Sequence, residues 1–344
     1  MKRVSKPAKG KKLAPPKKSP VLPPTTTLTA SSRSTFIRCR RRYYYSYEQR
    51  LTPKGVTVPF VVGGLFHSIL EQWYTEKGMP NVTAAIRTIN DGIREARASA
   101  LGNEKQLEQL ETSHSMLIGM IRAYHTLYMV ADKKNWIIKA AEVPFEIQLD
   151  NVWKVSGKID LLVEIKKKLW IVEHKTTSVL NEDYVGRLPL DDQIHQYYLG
   201  AEHVLGVAPA GVIYNVVQKS RLRMKKDETF DQLCRRIESD YSDDPSRYFW
   251  RGVLQLPDWS VKRYRESLPI IIRNIEDTRV RSRTEEVMDQ DPRNSWYMNT
   301  NHCFQYGSCP FVGLCSAPDD KTARLMFTQR KDHHPELEEK EAEL

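Results

Sequence analysis

Two acids and a lysine lie at the ends of two neighbouring apolar segments. Asp160 follows the alternating segment VWKVSGKI, while Glu173 and Lys175 belong to the segment LWIVEHK, which comes after a short EIKKK connector. Because side chains alternate between the faces of a strand, Glu173 and Lys175 point to the same side. Carboxylate oxygens are the natural ligands of Mg²⁺ or Mn²⁺, which keep several waters and also bind phosphate. The sequence therefore predicts a divalent-cation site at which Lys175 acts on a phosphate or an attacking water.

An ordinary surface ion pair beside a strand would show the same acid-x-Lys spacing. Both acids, however, emerge from apolar strands: Asp160 shortly after Gly157, and Glu173 directly after the residues WIV. A buried carboxylate is costly unless it is paired or bound to a metal, which favours the cation site. Downstream, Gln193 and Tyr197 are four residues apart, so they share one face of a predicted helix that can turn toward this site.

The elements that must position these residues follow from the period of the apolar pattern. Helices are predicted over 31–47, 63–77 and within 81–131, and three alternating strands follow, WIIKAAEVPFEIQL, NVWKVSGKIDLLVEI and KLWIVEHKT. A helix, PLDDQIHQYYLGAEHVLG, and a buried strand, AGVIYNVV, come next, and further helices are predicted over 227–240 and 258–288. This order predicts a mixed α/β core in which a helix crosses over one sheet.

Composition suggests the domain boundaries. Residues 1–30 are a basic arm rich in Lys, Pro and Thr, with too little apolar surface to order itself. One domain is expected over 31–317, divided into a helical insertion, a catalytic core and a cysteine cluster at 81–131, 136–217 and 299–317. A polar tail with an acidic end is expected over 318–344.

Charge and hydropathy limit the possible classes of function. The 344-residue chain, with 40% hydrophobic and 28% charged residues, has an ordinary globular composition. No apolar run approaches the roughly 20 residues that span a bilayer, and the N-terminus lacks the apolar segment of a secretory signal. We therefore expect a cytoplasmic protein of a bacterium or a phage-infected host cell. The net charge of +10 favours nucleic acid as partner, and the lack of a G-x-x-x-x-G-K-S/T pattern argues against ATP hydrolysis.

The cysteines form a second group that could bind a metal. The chain has five, an odd number that argues against a disulfide framework. Cys303, Cys309 and Cys315 are separated by five residues each, one thiolate short of the four that a tetrahedral metal or an iron–sulfur site requires. Cys39 and Cys234 are the candidates for the fourth ligand.

The segments GKIDLL, IVEHKT and QIHQY, in this order, resemble the RecB-like branch of the PD-(D/E)XK nuclease superfamily. Within it, the chain resembles exonucleases with a four-cysteine iron–sulfur cluster, the AddB-like and CRISPR-adaptation-type nucleases. The resemblance implies a restriction-endonuclease-like mixed sheet flanked by helices. It also implies that His67, in GGLFHSILEQWY, binds the metal together with Asp160 and Glu173, and that Lys175 is catalytic.

The resemblance extends to residues whose roles are less defined. Gln193 and Tyr197 would complete the catalytic group, supporting the site and contacting DNA. Glu142, in AAEVPFEI, matches a position that is often acidic in such nucleases. His67 depends on the resemblance alone, because a single histidine beside an apolar helix stripe is more often a satisfied core residue than a ligand.

The resemblance also implies a role for the cysteines. In the iron–sulfur members one ligand precedes the nuclease core and three follow it, and Cys39, in TFIRCRRRYYY, resembles the leading ligand, whereas Cys234 lies in an ordinary helical context. A 4Fe–4S cluster on Cys39, Cys303, Cys309 and Cys315 would join the N- and C-terminal segments over the core.

Zinc is an alternative to the iron–sulfur cluster. The spacing of five residues departs from the C-x2-C spacing of some relatives, and His302, beside Cys303, is the substitute ligand in a zinc site. In either case the role would be structural, since the free energy of metal binding adds to that of folding.

These inferences predict a Mg²⁺- or Mn²⁺-dependent deoxyribonuclease, an exonuclease that prefers single strands or ends and acts in recombination, repair or replication. Arg38, Arg40, Arg41 and Arg42, with the basic arm, would add affinity for DNA that depends on salt. A helicase or recombinase is the expected protein partner. The alternative is a non-catalytic DNA-binding or recruitment subunit of such a complex, in which the nuclease fold only holds DNA.

Overall fold

The computed structural model describes residues 26–337, apart from positions 56, 77, 101, 306 and 318–320. Its strands are β1 (Thr27–Leu28), β2 (Leu51–Pro53), β3 (Ile137–Gln148), β4 (Lys154–Ile165), β5 (Lys168–Thr177), β6 (Val212–Gln218), β7 (Phe249–Leu254) and β8 (Phe327–Gln329). Its helices are α1 (Ala30–Arg38), α2 (Arg40–Tyr43), α3 (Val58–Thr75), α4 (Val82–Ser99), α5 (Glu104–Tyr124), α6 (Val130–Asn135), α7 (Glu182–Gly186), α8 (Asp192–Leu205), α9 (Phe230–Asp243), α10 (Pro245–Tyr248), α11 (Asp258–Val287), α12 (Val312–Ser316) and α13 (Lys321–Leu325).

A six-stranded mixed sheet forms the centre, in the order β1, β4, β5, β6 and β7, with β3 also paired to β4. The predicted antiparallel meander of β3, β4 and β5 is confirmed, and α8 leads from it to β6, which runs parallel to β5. The mixed α/β fold is therefore confirmed. The sequence patterns did not predict β7, which extends the sheet antiparallel to β6.

The sheet separates two apolar clusters, because alternate residues of its strands point to opposite faces. One face packs on α3, α4, α5 and α9 through residues such as Val163, Val172 and Ile213. The other packs on α1, α8 and α11 through residues such as Leu162 and Ile171. The helices predicted within 81–131 thus contribute directly to the core. No helix in the described part of the chain has the length and apolar content that a membrane crossing requires.

Both ends of the predicted domain differ from expectation. The expected arm is already folded from Thr27, since β1 pairs in parallel with Lys154 and Val155 of β4, and residues 1–25 lie outside the described residues. The tail expected after 318 contributes β8, which pairs with β2. Apolar contacts explain both differences: Leu28 is fully buried in the sheet, and Phe327 packs near the cysteine segment. The acidic end of the tail, from 338 onward, is not described.

The single helix expected over 31–47 is interrupted at Cys39. This residue has extended backbone angles, φ −160° and ψ 111°, and it separates α1 from α2. In a continuous helix, the direction of the Cys39 side chain would be determined by the turns of α1 before it. Because the helix is broken at Cys39, its side chain can point in a direction that α1 does not determine.

Two glycines allow α8 to lie close to the sheet. The ring of Phe145, on β3, fills the space between Gly157 of β4 and Gly200 of α8. A methyl group at Gly157 would approach the Phe145 ring to 2.7 Å, and one at Gly200 would approach it to 2.5 Å. Since side chains of ordinary size cannot be accommodated at either position, the two glycines determine how near Gln193 and Tyr197 of α8 come to β5.

Gly200→Ala is expected to lower the free energy of unfolding by about 1–3 kcal/mol, because the added methyl overlaps a ring that has no room to move. Gly64→Ala is the matched control, since Gly64 is also helical but has no atom within 4 Å of an added methyl, and this change is expected to stabilise by about 0.5–1 kcal/mol. Urea unfolding followed by circular dichroism measures both. Equal stability of the two variants would contradict the packing argument.

Candidate active site

The register of β4 and β5 places Asp160 and Glu173 side by side. The last pairs of the two strands are Leu161 with Val172 and those closer to the turn, so Asp160 lies across from Glu173 where the strands begin to separate. Lys175, two residues beyond Glu173, points to the same face of β5. The predicted proximity of these three residues therefore follows from the antiparallel pairing.

Glu142 enters the site from the other neighbour of β4. It lies between the paired residues Ala141 and Val143 of β3 and faces Asp160. Its φ of 49° is in the left-handed region, where a non-glycine residue costs of order 1–3 kcal/mol. Backbone strain of this kind is concentrated at functional sites, and here it accompanies a carboxylate that pairs with Lys158 at 2.5 Å and lies near Asp160.

His67, Glu142 and Asp160 form the group best suited to hold a cation. One ligand atom from each lies within 4.8 Å of the others, and the Nδ1 of His67 is 3.4 Å from an Asp160 Oδ. Although burial opposes it, His67 lowers the pKa of Asp160, so this carboxylate stays charged. Its second oxygen accepts a hydrogen bond of 2.8 Å from the backbone N–H of His174.

Glu173 lies apart from that group of three and is fully buried. Its Oε1 is 2.5 Å from the Nζ of Lys175 and accepts a 3.3 Å hydrogen bond from Gln193 Nε2. Its Oε2 has no hydrogen-bond partner among the described residues. Burial and the neighbouring Asp160 carboxylate raise the pKa of Glu173 to about 8. An unpartnered buried carboxylate oxygen beside Asp160 is a suitable further ligand for a cation.

Lys175 is held in a closed set of contacts. It donates a 2.9 Å hydrogen bond to Gln193 Oε1, and Gln193 Nε2 donates in turn to the hydroxyl of Tyr197 at 2.7 Å. Burial by itself lowers the pKa of Lys175, but the Glu173 carboxylate outweighs it and the pKa is raised. Lys175 therefore remains protonated, and it acts as a hydrogen-bond donor and positive charge.

The start of α8 is anchored to the strand beside Glu173. Asp191 caps the helix, accepting from the Gln193 N–H at 2.9 Å, and its other oxygen accepts from the Tyr214 hydroxyl at 2.8 Å. Tyr214 is the residue of β6 that pairs with Glu173. The position of Gln193 is therefore tied to β6, the neighbour of the strand that carries Glu173.

A buried polar network supports β5 from the opposite face of the sheet, and the sequence analysis did not identify it. His174 Nδ1 lies 2.9 Å from Asn215 Nδ2, and Asn215 also contacts the Tyr124 hydroxyl at 2.5 Å. Arg251 continues the network by a bidentate pair with Asp132, at 2.6 and 2.9 Å. The polar Asn215 within the apolar strand AGVIYNVV was the available signal.

Four of the cysteines lie in one region of the fold, although they come from opposite ends of the domain. Cys39 comes from the N-terminal end, and the other three come from the C-terminal end. The backbone N–H of Asn299 lies 3.4 Å from Cys39 Sγ, and the Cys309 N–H donates to the Cys303 carbonyl at 2.7 Å. Burial raises the pKa of Cys315 to about 11, and nearby thiols add to the shift: Cys309, Cys39 and Cys303. Among the described residues, no three sulfurs lie within 4.8 Å of one another.

Cys234 and the zinc substitute His302 have different surroundings. Cys234 is buried in the apolar cluster formed by α3, α4, α5 and α9, on the opposite face of the sheet from α1. His302 lies in a short helical turn over Thr300–His302, and its Nδ1 is buried without a partner in the described structure. Of the two candidates for the fourth cysteine, the structure brings Cys39 toward the other three.

The arginines expected to bind DNA are partly occupied within the protein. Arg41 is buried and donates to the carbonyls of Trp296 and Arg293 at 2.8 and 2.7 Å. Arg40 donates to Thr278 at 3.0 Å. The expectation that Arg41 binds DNA is wrong, because its guanidinium donates hydrogen bonds that join α2 to the segment before the cysteines.

The sequence pattern of the PD-(D/E)XK nuclease superfamily matches residues 27–316. The chain belongs to this superfamily. Membership in the PD-(D/E)XK superfamily implies a metal-dependent nuclease that hydrolyses phosphodiester bonds and binds DNA, and it agrees with the observed mixed α/β fold. The match begins at β1, which supports the observation that the domain starts before residue 31.

Other comparisons add little. No curated protein matches the sequence. A solved structure entitled "Crystal structure of SSO0001" is 12% identical, covering 73% of this chain and 78% of that chain, with a TM-score of 0.27. This likeness is too weak to support an argument about the present PD-(D/E)XK chain.

The pH dependence of stability tests the surroundings of Glu173. Because its pKa in the folded, metal-free protein is raised above the ordinary value of 4.5 to about 8, the folded state keeps a proton that the unfolded state loses. The stability this proton contributes is complete below the ordinary value and is lost as the pH rises through about 8. Thermal melting in EDTA should show this loss in wild type and a shallower slope in Glu173→Gln. Parallel slopes would contradict the assignment.

Proposed function

We propose that this chain is a Mg²⁺- or Mn²⁺-dependent DNA exonuclease of the RecB-like branch, which prefers single strands or ends. The observation that carries the proposal is the convergence of six side chains from α3, β3, β4, β5 and α8 on one end of the sheet. The setting proposed for it is recombination, repair or replication in the cytoplasm of a bacterium or a phage-infected host cell, with a helicase or recombinase as partner.

The donor set fits a hard divalent cation. The proposed ligands are His67, Glu142, Asp160 and the unpartnered oxygen of Glu173, and oxygen-rich sets of this kind suit Mg²⁺ and Mn²⁺. When bound, such a cation supplies the positive charge that polarises a phosphate and acidifies a water. Glu142 takes a larger part in this proposal than the sequence analysis assigned to it.

The protein's own groups then act on the phosphate through charge and position. Lys175, as an ammonium group, donates a hydrogen bond to a phosphate oxygen or to the attacking water, and so stabilises the negative charge that develops in the transition state. Gln193 holds the ammonium in place through its Oε1. The hydroxyl of Tyr197 accepts a hydrogen bond from the side-chain amide of Gln193, so its own proton is free to be donated to the DNA backbone.

Cleavage of end-labelled DNA with Mg²⁺ or Mn²⁺ tests this proposal. Lys175→Ala is expected to slow cleavage by about 10²–10³-fold, the usual effect of losing one donor to a transition-state charge, and Asp160→Ala is expected to abolish it. Lys168→Ala is the matched control, because Lys168 is exposed at the start of the same strand. It should cleave as wild type does.

Closed circular single-stranded DNA tests whether cleavage requires a free end. An exonuclease leaves the circle intact while it degrades the linear form of the same sequence. If wild type, Asp160→Ala and Lys175→Ala all bind linear DNA and leave it equally intact, the chain is the non-catalytic binding subunit instead.

We also propose that Cys39, Cys303, Cys309 and Cys315 hold a 4Fe–4S cluster with a structural role. The contacts that support it join the segments of the four cysteines: Cys309, Cys39 and Cys303 are the thiols that act on the pKa of Cys315. Cys39 is the proposed fourth ligand because it lies at the break between α1 and α2 and contacts Asn299 of the cysteine segment.

Anaerobic purification tests the cluster. Cys309→Ser is expected to lose visible absorbance and bound iron together, with a lower thermal midpoint, because cluster binding contributes to folding. Cys234→Ser is the matched control, since this thiol is buried away from the other four, and it should keep the colour and iron content of wild type. Zinc in place of iron in wild type would contradict the proposal and favour the zinc alternative.

A further inference from the structure

A basic cavity of about 600 Å³ opens between α3, α5 and the segment that follows β6. Four cations line it, Lys105, Lys219, Arg221 and Arg223, against a single acid, Glu108. Such a lining has an excess of positive charge, and a concave surface concentrates the resulting potential. The cavity is large enough to receive one nucleotide unit.

Lys219 has the charge most available to a ligand in this cavity. Its side chain is half-buried, and burial lowers the pKa of its ammonium. In the part of the chain that the structure describes, no carboxylate pairs with it. Arg221 and Arg223 are exposed beside it, and Arg221 donates to the carbonyl of Ser178 at 3.1 Å, which holds its guanidinium at the cavity wall.

The beginning of α3 adds to the positive potential. Val58 and Pro59 line the cavity, and the preceding Thr57 provides no side-chain cap. The first N–H groups of a helix carry a partial positive charge, so the uncapped end of this 18-residue helix acts in the same direction as the lysine and arginines.

The cavity is adjacent to the candidate active site along two separate elements. The Lys219 N–H donates to the Thr177 carbonyl at 2.8 Å, and Thr177 is two residues, or about 7 Å, beyond Lys175 on β5. Val62 lines the cavity, and His67 follows five residues, or about 7.5 Å, later on α3. A strand whose phosphate lies at Lys175 therefore has its neighbouring phosphates within reach of the cavity.

We propose that this cavity binds a phosphate of the DNA strand that is adjacent to the scissile phosphate. Lys219, Arg221 and Arg223 would contact this phosphate. The inference rests on the proposed nuclease function. Val62 and Met116, also in the lining, supply the apolar surface against which a sugar or base packs. This subsite would hold the strand in register for successive cuts. Arg41 cannot do so, because its guanidinium binds backbone carbonyls of the protein.

Anisotropy of a labelled single-stranded oligonucleotide, measured on the full chain in EDTA, tests the subsite without cleavage. Lys219→Gln and Arg221→Gln are each expected to weaken binding, and each should lower the slope of log affinity against log salt by about 0.7, the value for one lost phosphate contact to a single strand. Lys262→Gln is the matched control, because it removes the same charge from an exposed position on α11, which packs on the opposite face of the sheet.

A scan with single neutral methylphosphonates identifies the phosphate concerned. One internal position should weaken wild-type binding, and at that position Lys219→Gln should cause no further loss, since each change removes the same contact. Additive losses at every position, or an unchanged salt slope in both variants, would overturn the subsite. Failure of wild type to bind DNA at all would instead overturn the proposed function.

Discussion

The pair of buried Glu173 and half-buried Lys175 is the constraint on which the rest of the site depends. A carboxylate with no exposed surface is costly to charge, and this one keeps an oxygen without a partner in the described structure. Lys175 and Gln193 compensate for part of that cost. The compensation requires α8 to lie close against β5, which the two glycines around Phe145 make possible. Close packing of α8 on β5 is therefore needed for the contacts that stabilise the buried Glu173.

The two faces of β5 have different tasks. Glu173 and Lys175 point toward α8, whereas His174, between them, points to the opposite face and contacts Asn215. The backbone N–H of His174 meanwhile donates to Asp160. Because the polar network behind the sheet fixes the His174 side chain, it also fixes the N–H that orients the proposed ligand. The Nε2 of His174 has no partner among the described residues, and the remaining hydrogen bonds of the network provide this rigidity at the expense of apolar packing.

Positive charge is divided between contacts within the protein and a basic cavity. Near the N-terminus, Arg33 pairs with Asp192 and Arg41 binds backbone carbonyls, so these guanidinium groups connect α1 and α2 to the remainder of the domain. The cavity beside α3, by contrast, holds cations with little opposing charge. Counting basic residues cannot distinguish these uses, because a cation that has a protein acceptor contributes little to the attraction of DNA.

The sequence by itself determined the meander of β3, β4 and β5, the helix that crosses between β5 and β6, and the placement of Asp160, Glu173 and Lys175, because these follow from local alternation and from short connections. Tertiary structure decided the rest. The φ of Glu142 and its position opposite Asp160 depend on the pairing of β3 with β4. The approach of Cys39 rather than Cys234 to the other cysteines depends on a helix break and on which face of the sheet each occupies. Such relations join residues that are distant in the chain, and periodicity, being local, carries no information about them.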